Sequence, residues 1–267
     1  PFSPESDWSW TVGYTYTDSD MVSDMTSSTA GSTWNYNYIF DANEEKTGTS
    51  RYQIRNRVSS SINWSHAFFG DYKTSVGMFY EGRNGRPFSY VYSNDANGEG
   101  RAGNDLFYVP SGPGDVLFGT LSSTGVFTAN PAMEASFFNW LAANPDLARY
   151  AGQAVPRNSG RAQWVNNFDV RISQELPGFM KGHKSEIWLD IMNVGNLINK
   201  DWGHIEDYGF FANRRVLTNA GIYDGKYVYS NFNPASVERP TVANGSNGNG
   251  NTGVSQWSLQ LGFRYKF

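Results

Sequence analysis

The sharpest chemical signal in this chain is Asp95-Ala96-Asn97-Gly98-Glu99-Gly100, with Asp105 a little further on. Oxygen-bearing side chains at alternate positions, followed by a glycine for a sharp turn, form the first half of a calcium loop. Asp95, Asn97, Glu99 and Asp105 are the ligands that a Ca²⁺ ion would take from it. Against that reading, the twelfth position is Leu106 instead of a bidentate Glu, and no helices are predicted to flank the loop. The bland alternative is a polar loop tip. No other cofactor is expected.

The remaining candidates are weaker. His66, His183 and His204 stand far apart, two of them at predicted turns or strand ends, and no His–carboxylate–nucleophile spacing is present. An enzyme is therefore not expected. Glu186 and Asp190 share one face of a predicted strand. Two glycosidase carboxylates would look the same in sequence, but nothing around them supports catalysis. The ordinary reading is a set of charges on a wet wall, with Glu186 and Asp190 pairing with Arg55, Arg57 or Arg171. Trp8, Trp10, Tyr14 and Trp64 suit ligand stacking or, more simply, an aromatic belt at a membrane interface.

Composition narrows the classes further. The chain has no cysteine, so disulfides and thiolate metal sites are excluded. Its net charge of −4 gives no basic footprint for nucleic acid. Aromatic residues make up 16% of it, yet its mean hydropathy is −0.53. Strands with one greasy and one wet face, joined by polar loops, combine those two properties. There is no apolar run long enough for a membrane-crossing helix. The opening Pro1-Phe2-Ser3-Pro4 has no signal-peptide character and no initiating Met, which leads us to expect a missing upstream part.

The elements that would position these groups are strands. From Trp257 to Phe267, the residues Trp257, Leu259, Leu261, Phe263, Tyr265 and Phe267 fall on one face, and Ser258, Gln260, Gly262, Arg264 and Lys266 on the other. Trp8 to Tyr16 alternates in the same way. So do Tyr52 to Trp64, with Tyr52 and Ile54 on the greasy face, Tyr72 to Tyr80, Trp164 to Leu176, and Ile187 to Ile191. Phe88 to Tyr92 is read as an extension of the Tyr72–Tyr80 strand. Links at Ala67–Asp71 and Pro177–His183 are short, whereas the other connections run to tens of residues. The stretch 18–50 reads as a loop holding an extended segment. The stretch 93–160 reads as a loop holding one helix, with Asn130 as cap, Pro131 in the first turn and an apolar patch of Phe137, Phe138 and Leu141. Tyr223-Asp224-Gly225-Lys226-Tyr227 reads as a hairpin tip. About six crossing strands result, fewer than the smallest outer-membrane barrel. Either further strands hide in the loops, or the chain is the end of a larger barrel.

At this point a resemblance enters. Asn158-Ser159-Gly160 through Phe168-Asp169-Val170-Arg171-Ile172-Ser173-Gln174-Glu175-Leu176, and His183-Lys184 through Leu189-Asp190-Ile191-Met192-Asn193-Val194-Gly195-Asn196 to Trp202-Gly203, resemble the C-terminal barrel of TonB-dependent outer-membrane receptors. More narrowly, Gly82-Arg83-Asn84-Gly85-Arg86-Pro87-Phe88-Ser89-Tyr90 and Asn104-Asp105-Leu106-Phe107-Tyr108-Val109-Pro110 resemble the Oar-like subgroup. The likeness runs from about Arg51 onward.

The resemblance implies an all-β fold: antiparallel strands of a transmembrane β-barrel, here a partial, open sheet, with long extracellular loops and one short loop helix. Residues 1–267 would supply about strands 17–22 of 22, without the N-terminal plug domain. It implies ligand uptake or surface display in the outer membrane of a Gram-negative bacterium. The ligand, whose identity the sequence does not disclose, would meet loops 93–160 and 204–253. The implied partners are outer-membrane lipid, the barrel-insertion machinery, which would read Phe263, Tyr265 and Phe267 as an assembly signal, and TonB through the missing part. Arg55, Arg57, Arg171, Glu186 and Asp190 would be lumen charges. The alternatives are a stand-alone small barrel and a secreted carbohydrate-binding β-sandwich.

Overall fold

Alternation of large apolar and small polar residues favours the extended backbone, because β-branched and aromatic side chains pack well on a pleated surface. In the computed structural model, which describes residues 6–41, 43–243 and 254–267, six such segments form one sheet. The long strands are Trp8–Tyr16, Asn56–Phe69, Tyr72–Arg83, Val165–Pro177, Lys184–Met192 and Ser258–Lys266. They lie side by side in chain order, every neighbouring pair antiparallel. The sheet is open: the first and sixth strands do not pair with each other.

Two short turns close one end. Gly70 and Asp71 link the second strand to the third, with Gly70 at φ +62°, a left-handed position that glycine adopts without a Cβ clash. The turn after Pro177 leads to Lys184. The first turn is tighter than the expected link at Ala67–Asp71, because the second strand runs on to Phe69 through a register shift between Ala67 and Phe69.

At the other end the long connections fold into a body with its own core. Phe107, Val109, Phe137, Leu147, Val155 and Tyr229 are fully buried there, in one cluster with Phe88, Tyr90, Tyr92 and Phe118. The helix Pro131–Ala142 contributes Phe137 and Leu141. Its expected cap is present: Met133 N–H donates to Asn130 Oδ1 at 3.0 Å. The hairpin Thr218–Tyr223 to Lys226–Ser230 turns at Asp224 and Gly225, both at positive φ.

Three expectations are corrected. Pro87–Val91 does not extend the third strand. It leaves the sheet and pairs with Gly160–Arg161 and Asn213–Arg215 inside the loop body, so Phe88 and Tyr90 are core residues. The second strand starts at Asn56, so Tyr52 and Ile54 precede it and do not belong to its greasy face. The stretch 18–50 holds, besides the short paired strands Asp20–Met21 and Gly48–Thr49, a short helix, Ala30–Asn35, that was not expected.

Polar contacts tie that stretch to the loop body. Asp24 accepts from the Arg51 backbone N–H at 3.1 Å, from Arg51 Nε at 3.0 Å and from Asn158 Nδ2 at 3.1 Å. Asn158 also donates to Thr49 O at 2.7 Å, and its backbone N–H donates to Ser89 Oγ at 2.9 Å. Arg157 Nη1 donates to Val22 O at 2.6 Å. Asp24, Arg51, Arg157 and Asn158 are all buried. Buried charges persist only when they are paired and hydrogen-bonded, so this network fixes where the loop lies.

Candidate functional site

The two faces of the six-stranded sheet differ in chemistry. On one, strand register aligns Trp10, Ile62, Met78, Val170, Ile191 and Leu259 in a row, and Trp8, Trp64, Val76, Ile172, Leu189 and Leu261 in the next. No polar side chain interrupts either row. Many of these side chains are open: Trp10 is 58% exposed, Leu261 72% and Leu259 54%. The core lies elsewhere, in the loop body.

Aromatic residues collect at both ends of this face. At the short-turn end Trp8 and Trp64 lie 6.3 Å apart, Trp64 and Phe68 5.7 Å, and Phe179 stacks on Tyr265 at 5.4 Å. Toward the loops Tyr80 and Phe168 are 4.6 Å apart, and Tyr14 donates its hydroxyl to Asn56 Oδ1 at 2.7 Å. Phe263 and Phe267 are exposed, and Tyr265 meets Phe179 and His183.

The opposite face is hydrophilic and laced with ion pairs. Arg171 and Asp190, directly opposite in register, make a two-pronged contact at 2.5 and 2.7 Å. Arg57 meets Glu81 at 2.7 Å, and Lys184 meets Glu175 at 3.6 Å. Trp188 lies across Gly262, where an added Cβ would come within 2.2 Å of the indole. Arg171 and Arg264 sit over that indole at 5.6 and 5.5 Å, within cation–π range. Ser61, Asn63, Ser75, Phe79, Asp169 and Arg171 line a shallow groove of about 540 Å³ in this face.

The five expected wall charges divide. Arg171 and Asp190 pair as expected. Glu186 pairs with Arg264 at 3.9 Å and Lys266 at 3.6 Å, because the sixth strand borders it. Arg57 shares the face but lies beyond the third and fourth strands from Glu186 and Asp190. Arg55 precedes the second strand and pairs with Asp18 at 2.9 Å. These contacts neutralise charge and leave no activated acid–base pair.

The histidines do not meet. His66 Nδ1 contacts Asp7 at 2.7 Å, and His183 Nδ1 contacts the Tyr265 hydroxyl at 2.8 Å. His204 sits with Trp164 and Trp202 at the loop end.

The candidate calcium loop turns part of its oxygens to its own backbone, while Glu99 Oε2, Asn104 Oδ1 and Asp105 Oδ1 are buried without a hydrogen-bond partner. Asp95 accepts from Gly98, Glu99 and Gly100 N–H groups at 2.8, 3.1 and 2.7 Å. Asn97 accepts from Glu99 N–H at 3.0 Å, and Asp105 from Ala96 N–H at 2.6 Å. Glu99 is bonded to Asn104. Among the described residues no three His, Asp or Glu side chains are grouped to hold a metal ion. Asp95 and Asn97 thus hold a turn with their side-chain oxygens. Burial pushes the Asp105 carboxyl up to about 6.

The residues that sequence reasoning passed over are the buried Asp24, Arg51, Arg157 and Asn158. Their only signal was an excess of arginine around positions 51–57 and 157–161. The chain matches no family model, no curated protein and no solved structure.

Proposed function

We propose that this chain forms part of the wall and external loops of an outer-membrane β-barrel receptor, of the TonB-dependent, Oar-like kind that its sequence resembles. In this reading the chain takes up or displays a ligand and is not an enzyme. The observation that carries the proposal is the exposed apolar face of the six-stranded sheet, unbroken across its two central rows. With roughly 1 kcal/mol for each half-exposed large side chain, that face would forgo on the order of 15 kcal/mol in water, as much as the whole net stability of a domain. Lipid removes the cost.

The dimensions agree. Val58 and Phe68 mark the two ends of the greasy face on the second strand. Ten residues at ~3.3 Å each, tilted by ~40°, span a height of about 25 Å, the thickness of a barrel's apolar band. Interfacial aromatics flank the band at both ends. The ion-paired face suits a wet lumen, and the short turns and long loops suit periplasmic and extracellular sides. Bare edges cannot sit in lipid, so other strands complete the wall beyond the first and sixth strands. In this reading Phe263, Tyr265 and Phe267 meet the insertion machinery.

A soluble carbohydrate-binding sandwich would cover the greasy face with a second sheet; the face is instead exposed. The test is reconstitution of this chain, together with the strands that complete its wall, into vesicles whose lipids carry bromine at known depths. Tryptophan emission from Trp8, Trp10 and Trp64 should be quenched, and the folded band should migrate differently on gels before and after boiling. A chain that stays monodisperse without detergent and shows no quenching would refute the proposal.

A further inference from the structure

Where the loop body meets the hydrophilic face, a cavity of about 580 Å³ is lined by Arg51, Arg83 and Arg86, with Gln53, Tyr52 and Phe210 among its walls. Among the described residues its one lining carboxylate is Asp207, 4.0 Å from Arg86, whose Nη1 and Nη2 also donate to Gly209 O at 3.2 Å and Phe210 O at 3.4 Å. The carboxylates behind it are shared. Glu81 serves Arg57 at 2.7 Å and Arg83 at 3.7 Å. Asp24 serves Arg51 and also accepts from Asn158.

Positive charge therefore exceeds its local compensation, in a protein whose net charge is −4. Arg161 adds to the excess: it bonds to Gln53, and burial, then neighbouring Arg55, pushes its guanidinium down. The Arg51 guanidinium itself is engaged behind the cavity wall, by Asp24, by Tyr36 O at 2.6 Å and by the Tyr38 ring at 5.5 Å. Arg51 is 1% exposed, yet its Nη1 has no hydrogen-bond partner. An unpaired donor on a buried cation is costly, and charged groups pay the most.

We infer that this cavity binds a small molecule through an oxyanion, a carboxylate or phosphate group, held by Arg83 and Arg86 and backed by Arg51, with its less polar part against Tyr52 and Phe210. Guanidinium forks match the geometry of both oxyanions. The volume suits a molecule of small-ligand size. The cavity is built from loop and strand-end residues, so this inference does not depend on where the greasy face resides.

The full chain, folded in detergent micelles, is titrated with inorganic phosphate and separately with citrate, followed by calorimetry and by intrinsic fluorescence. Saturable binding of either anion is expected, weakening as salt rises. Arg83→Gln and Arg86→Gln should each weaken it about tenfold, the loss expected for one charge-assisted contact. Arg264→Gln, on the same face but at the short-turn end, should leave it unchanged. Arg51 is spared because its pairing with Asp24 supports the fold. Absence of saturation by both anions below about 10 mM, unchanged affinity in the Arg83→Gln/Arg86→Gln double variant, or an equal loss in Arg264→Gln would each overturn the inference.

Discussion

Leu261 offers the most decisive perturbation. It lies near the middle of the last strand, opposite Leu189, and is 72% exposed. Its neighbour Gln260 points to the hydrophilic face, opposite Asp190. Replacing Leu261 by Arg has opposite consequences in the two possible solvents. On a water-facing surface the change removes little packing and adds a solvated charge, so stability moves by about 0.5 kcal/mol or less. On a lipid-facing surface near the bilayer midplane, an arginine costs about 2–4 kcal/mol. Gln260→Arg is the matched control: it adds the same group one residue away, beside the Asp190 carboxylate, and should change stability by about 0.5 kcal/mol or less. The assay is urea unfolding from lipid vesicles, read by tryptophan fluorescence and by the heat-sensitive gel shift. A lowered midpoint for Leu261→Arg alone, with an unchanged slope, is the expected result. Equal midpoints for Leu261→Arg and the parent chain, or an equal loss in both variants, would show that the greasy face is not in lipid.

Other consequences follow from the loop body. Asp24→Ala leaves the Arg51 guanidinium buried without its counter-charge and should cost about 3–5 kcal/mol, seen as lost near-ultraviolet dichroism. Asn130→Ala removes the helix cap and should cost about 1 kcal/mol, measured by denaturant titration. Asp105 titrates at about 6 in the folded chain against an ordinary 3.8, so the folded state binds its proton more tightly than the unfolded one. Its contribution to stability is therefore greatest below about pH 4 and is lost as pH rises through about 6; thermal melts across that window should show the decline, and Asp105→Asn should flatten it.

Alternation along each strand was enough to decide the sheet. Trp8 to Tyr16 and Trp257 to Phe267 announce two-faced strands because side chains on an extended backbone point alternately to opposite sides, a local rule that no distant contact has to enforce. The helix at Pro131–Ala142 was equally legible, since its cap and first-turn proline act within a few residues. Tertiary structure decided what local rules cannot reach. Phe88 and Tyr90 continue a strand pattern, yet pairing with Gly160–Arg161 and Asn213–Arg215 draws them into the loop core. Glu186 chose Arg264 and Lys266 because strand order, not spacing, sets which charges meet. Asp95 and Asn97 turned their oxygens to their own backbone because nearby N–H groups were left unpaired by the turn. The arginine cavity joins residues over a hundred and fifty positions apart in the chain, from Arg51 to Phe210, and only the folded connections bring them together.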